Sequence, residues 1–195
     1  MGIDASYQAV PYEPLLERAM KDVEVAEAMQ FFRQLATVEM AHSRYEDDRV
    51  WLELSPIARR IVGEHPGILD RRLFTRAWDA VDWLLSPRRR AGHDRDPDGL
   101  AECAVFGAEA FTCDARSTIG NPLRFVRPQT ALVLADFLDT ASSTAADVFD
   151  AAAMAEASVY KQPWDRDHLL DELSRLARLY RLAGESEECV LVVHD

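Results

Sequence analysis

At 195 residues with 48% apolar side chains, the chain is long enough for one well-filled core and short for two. Its 34 Asp and Glu against 22 Lys and Arg give a formal charge of −12, which repels phosphate backbones and anionic headgroups. Nucleic acid and membrane are therefore excluded as expected partners, and a basic protein is favoured.

The sequence opens without the basic stretch and apolar core of a leader, and no apolar run reaches bilayer length, so the chain reads as cytoplasmic. Gly2 to Val10 alternates Ile3, Ala5, Tyr7 and Ala9 with Asp4, Ser6 and Gln8, the period of a half-buried strand that Pro11 and Pro14 end. Val25, Met29, Phe32, Leu35 and Ala36 recur at helical spacing between about Asp22 and Tyr45. Ser55 and Pro56 read as N-cap and first-turn proline of a short helix closed by Gly63.

From Asp70 to Ser86, Leu73, Phe74, Ala77, Trp78, Val81, Leu84 and Leu85 form a wide helical stripe, with Trp78 expected in the core. Arg88 to Gly99 is polar loop, and the Arg88, Arg89, Arg90 run within it reads as a solvated helix-end feature. Cys103 to Phe106 and Leu123 to Val126 read as short apolar strands around a Gly120-Asn121-Pro122 turn. Pro128 starts a helix carrying Ala131, Leu134, Phe137 and Leu138, and Ala141 to Ala157 adds further turns with Val148, Phe149 and Met154 to bury.

Asp165 is a good N-cap, Trp164 and Leu169 make a hydrophobic staple, and the helix they open runs to about Ala183 with Gly184 as its cap. Trp164 is expected to be at least half-buried. Cys189 to Val193 is an unbroken apolar strand of the kind covered on both faces. Cys103, Cys113 and Cys189 lie in apolar contexts without zinc-ligand spacing, so reduced, buried thiols and no cofactor are expected.

Six segments fall in order into one family's pattern: Met1 to Val10, the Trp-rich helix Ala77 to Leu85, Val-Phe-Gly-Ala-Glu at Val105 to Glu109, Leu-Arg-Phe-Val-Arg-Pro at Leu123 to Pro128, Tyr-Lys-Gln-Pro-Trp-Asp at Tyr160 to Asp165, and Cys189 to Val193. Together they resemble the YfbM-like family, a bacterial domain of unknown function (1877), over nearly the whole chain. The resemblance implies an α+β fold over residues 1–195: a single mixed domain, rich in helix, whose small sheet holds both the N-terminal and C-terminal strands. It implies almost nothing about activity. In that family the helix corresponding to Ala77 to Leu85 often carries His where this chain has Asp79 and Asp82, which weakens any shared catalytic role.

Several places have the residue types for chemistry or binding. Asp79 lies three residues from Asp82 and four from Trp83, so two carboxylates and an indole share a side of the helix, next to Trp78, as a general acid and base or polar anchors of a cleft would. The competing expectation, and the one favoured here, is a solvated acidic face. Glu109 follows the Gly107 turn, where a sheet end can expose a carboxylate to a ligand. Tyr160, Trp164 and Asp165 are further candidates, although staple and cap roles account for the last two. Asp94 to Gly99 has the first half of an EF-hand pattern, but position twelve is Val105 and a strand is expected next, so no calcium site is expected.

Phosphate loop, nucleophile elbow and His-Glu-x-x-His are all missing, and the 5 histidines are scattered. The reading is a protein-interaction module with an acidic surface, an immunity-type role being one version. The alternative is a small-molecule-binding protein or hydrolase whose cleft is lined by Asp79, Asp82, Glu109, Tyr160 and Trp164.

Overall fold

The computed structural model describes residues 4–35, 49–86, 98–161 and 163–194. Its strands are β1 (Ala5–Pro11), β2 (Arg72–Thr75), β3 (Glu109–Ala110), β4 (Arg124–Val126) and β5 (Glu188–His194), in the order β2-β1-β5-β4-β3 with every pair antiparallel. The two ends of the sequence meet as expected: Ala5 pairs with His194 and Pro11 with Glu188. β5 lies between β1 and β4, and because helices cover the sheet on both sides its side chains are buried on both faces, which is why Cys189 to Val193 needs no polar alternation.

The period of two assigns side chains to two cores. Ala5, Tyr7, Ala9, Val190 and Val192 face one helical layer, α5 (Trp78–Leu85), α6 (Leu100–Phe106), α7 (Pro128–Val148), α8 (Ala151–Glu156) and α9 (Arg166–Glu185). Val10, Phe125, Cys189, Leu191 and Val193 face the other, built from a helical turn over Tyr12–Leu16 and α1 (Glu17–Ala19), α2 (Val23–Met29), α3 (Phe32–Leu35) and α4 (Arg49–Glu64). Helices thus cover both faces of one sheet.

Several local expectations are corrected. Leu73 and Phe74 belong to β2, opposite Tyr7 and Ser6, and α5 begins only at Trp78, after Thr75 Oγ1 accepts a hydrogen bond from the Ala77 amide at 2.9 Å. Cys103 to Phe106 is the end of α6, not a strand; glycines at φ +66 and +84 (Gly99 and Gly107) bracket that helix, and β4 pairs outward with β3 instead. Pro56 lies inside α4, on its exposed side, where water can take up the carbonyl that proline leaves unbonded, while Trp51, Leu54, Ala58 and Ile61 carry the buried stripe past it.

The Asp22 to Tyr45 helix breaks after Met29 into α2 and α3, and its part from residue 36 lies outside the described residues. The Pro128 helix runs on to Val148, and Asp150 caps the separate α8 by accepting from the amides of Ala152 and Ala153. Gly184 does not cap α9 but sits within it: a Cβ there would lie 2.6 Å from Leu132 Cγ and 2.9 Å from the Pro128 carbonyl oxygen. It is a close-approach glycine that lets α7 and α9 pack. The left-handed residue after the helix is Glu187, at φ +56.

Candidate functional site

The structure divides the candidate residues between the two ends of β5. At its His194 end, four of them come together. The Tyr160 amide donates to Asp79 Oδ2 at 2.6 Å, Trp164 Nε1 donates to the Tyr160 carbonyl at 2.7 Å, and the Trp78 and Tyr160 rings lie 6.3 Å apart. Two residues not anticipated complete the group: Phe106 and His194 stack at 5.2 Å, and each meets Trp78 edge-on, at 5.8 Å and 5.2 Å. Phe106 was hidden by reading its segment as a strand, whereas His194 shares the face of Val190 and Val192 and was findable from that alternation. Burial holds the His194 imidazole below its ordinary pKa, partly offset by its hydrogen bond with the Val105 carbonyl at 3.1 Å.

The solvated acidic face expected on α5 is not there. Asp79 and Asp82 are 5% and 3% exposed, because α5 is covered along this side as well as along its apolar stripe. Trp83 is buried at 5%, whereas Trp78, the expected core residue, is only partly buried and Trp164 is likewise partly buried. Asp82 lies deeper, near the phenol of Tyr7: burial first, then the Asp82 and Glu172 carboxylates, hold that hydroxyl well above its ordinary pKa, and it donates to the Val105 carbonyl at 2.9 Å. Asp165 caps α9 by accepting from the His168 amide at 2.9 Å.

Glu109 belongs elsewhere. Both its oxygens accept from Arg127, at 2.7 and 3.0 Å, and Arg127 also donates to the Tyr12 hydroxyl at 2.6 Å. Arg127 follows β4 toward the Glu188 end of β5, about 20 Å along the strand from His194. Here lies a pocket of about 580 Å³ whose walls include Tyr12, Glu13, Arg127, Glu187 and Glu188. Glu188 is 8% exposed; Oε1 pairs with Arg71 while Oε2 has no hydrogen-bond partner among the described residues. Burial outweighs Arg71 and raises the pKa of this carboxyl.

Among the described residues no three His, Cys, Asp or Glu side chains gather as metal ligands would, and no helix is long and apolar enough to cross a membrane. Residues 94–97 of the acidic loop lie outside the described residues, as do the three arginines from Arg88. The segment after that loop is helix α6, not the expected strand, and Val105 at the twelfth position is fully buried with no side-chain oxygen to offer an ion.

Residues 64–193 match the family described as Domain of unknown function (DUF1877). The chain belongs to that family. Its fold is similar to the crystal structure of YfbM, a protein of unknown function from Escherichia coli, with a TM-score of 0.54 at 14% identity, over 98% of this chain and 99% of that one. At that identity the likeness concerns the fold alone, and it takes in β1 and α1 to α4, most of which precede the residues the family matches. No curated protein matches the chain.

Proposed function

We propose that this DUF1877 chain is a protein-interaction module that takes a basic partner on an acidic face. The observation that carries this reading is the composition of α7 and α8. From Pro128 to Tyr160 there is no Lys, Arg or His, and Asp136, Asp139, Asp147, Asp150 and Glu156 are all exposed. Arg181 pairs with Asp136 and Asp139 at 2.8 and 2.7 Å, and Asp150 is occupied as a cap. Asp147 and Glu156 have no salt bridge among the described residues, and such a one-signed surface steers a cationic protein and disfavours an acidic one. Neutralising a cationic toxin is one concrete form of that role. Supporting it further, Asp79 is engaged in fixing the backbone at Tyr160.

The second reading, a small-molecule-binding protein or hydrolase with an acidic and aromatic cleft, has in its favour the meeting of Trp78, Asp79, Tyr160 and Trp164. A calorimetric titration with an oligolysine peptide tests the first. Asp147→Lys together with Glu156→Lys, chosen because neither is a cap, is expected to weaken binding about tenfold. Equal affinity in wild type and variant overturns the reading.

A further inference from the structure

We infer that the pocket between Tyr12, Arg127 and Glu188 is a site for one alkyl-linked cation, an ammonium or guanidinium group on a flexible chain; as the anchor for a basic partner, this inference rests on the interaction reading above.

Charge and shape both point there. Arg127 already has its counter-charge in the two oxygens of Glu109, and Arg71 has its own in Oε1 of Glu188. Two cations are thus matched by two carboxylates, and Glu13 and Glu187, both exposed in the pocket wall, are left over with no salt bridge among the described residues. A pocket with that surplus favours cations over anions, against the weaker opposing pull of the α7 N-terminus at Pro128.

The second observation is independent of the surplus. Glu188 is a wall residue 8% exposed, yet its Oε2 has no donor among the described residues. A buried carboxylate oxygen without a donor is costly, and a small shift of the Glu188 side chain toward the pocket would let a ligand's charged N–H group satisfy it. The Glu188 carboxyl is held above its usual range by burial, and a bound cation would favour its ionised form.

Part of the remaining wall, which also holds Gln129 and Ser186, suits an alkyl stem. Pro11, Pro128 and the Tyr12 ring offer apolar surface beside the carboxylates, as a Lys or Arg side chain requires along its length. A volume of about 580 Å³ accommodates such a side chain with water to spare. The same chemistry could come from a partner's side chain or from a free diamine.

The test uses the whole chain and three probes: N-acetyl-arginine amide, putrescine, and the uncharged N-acetyl-norleucine amide. Binding is followed by the NMR shifts of the Tyr12 ring and by calorimetry. Saturable binding of a cationic probe, absent for the norleucine probe, is expected, with affinity falling about tenfold in Glu188→Gln and several-fold in Glu13→Gln. Glu13 is exposed, so its variant keeps the test valid if Glu188→Gln disturbs the Arg71 pair and folding. Stronger binding of the arginine probe assigns the site to a partner's side chain; stronger binding of putrescine assigns it to a free diamine.

No Tyr12 shift with either cation up to about 10 mM, or unchanged affinity in both variants, overturns the inference. The interaction reading fails separately. It falls if reversing Asp147 and Glu156 leaves oligolysine binding intact, whatever the pocket does, and it survives an empty pocket if that reversal weakens binding.

Discussion

Asp79 Oδ2 accepts the amide proton of Tyr160 at 2.6 Å, a bond between residues 81 apart in the sequence that ties α5 to the segment leading into α9. A carboxylate that looked available for chemistry is thus part of the framework. Asp79→Ala removes the acceptor of a partly buried amide and is expected to cost about 2 kcal/mol in urea unfolding, while Asp79→Asn, which keeps an acceptor oxygen, costs less. Equal stability of the alanine variant and wild type would reject this role.

The tryptophans of α5 should separate in stability. Trp83, 5% exposed, is expected to cost about 3 to 5 kcal/mol on truncation to Ala, and the partly buried Trp78 less. Chemical denaturation of both variants measures the difference, and a larger loss at Trp78 reverses the assignment.

Gly184→Ala places a methyl group 2.6 Å from Leu132 Cγ and against the Pro128 carbonyl. Either α7 moves away from α9 or Leu132 changes rotamer, at a cost of about 1 to 3 kcal/mol in thermal or urea unfolding. A neutral substitution would show that the helices do not need this close approach.

His194 provides the pH dependence. Its folded pKa lies below the ordinary 6.5, so between those values the unfolded chain binds more protons. The stability this group contributes is present above pH 6.5 and is lost as pH falls through the folded pKa. An NMR titration of the His194 ring should give a midpoint below 6.5; a midpoint at or above it contradicts the burial argument.

What the sequence revealed followed from how local each signal was. β1, β5 and α9 were legible because alternation, an unbroken apolar run, and the Asp165 cap lie within the elements themselves. Leu73 and Phe74 fitted a helical stripe because two apolar residues beside Ala77 suit either period, and only pairing with β1 makes them strand. Cys103 to Phe106 is too short an apolar run to separate strand from helix by pattern. For the site, Asp82 and Glu172 act together on Tyr7 although all three are far apart in the sequence, and the Glu109 partner, Arg127, lies 18 residues away on the far side of β4. No spacing rule connects those residues, whereas the absence of Lys and Arg from α7 and α8 was open to inspection.

The central claim is that the exposed carboxylates of α7 and α8 form the binding face. NMR shift mapping during an oligolysine titration tests it most directly. The account predicts shifts concentrated on Asp147, Asp150 and Glu156 and their neighbours, with a separate set at Tyr12 where the cation pocket takes a lysine side chain, all reversed by added salt. Shifts centred instead on Trp78, Phe106 and His194, or spread without localisation, would contradict it.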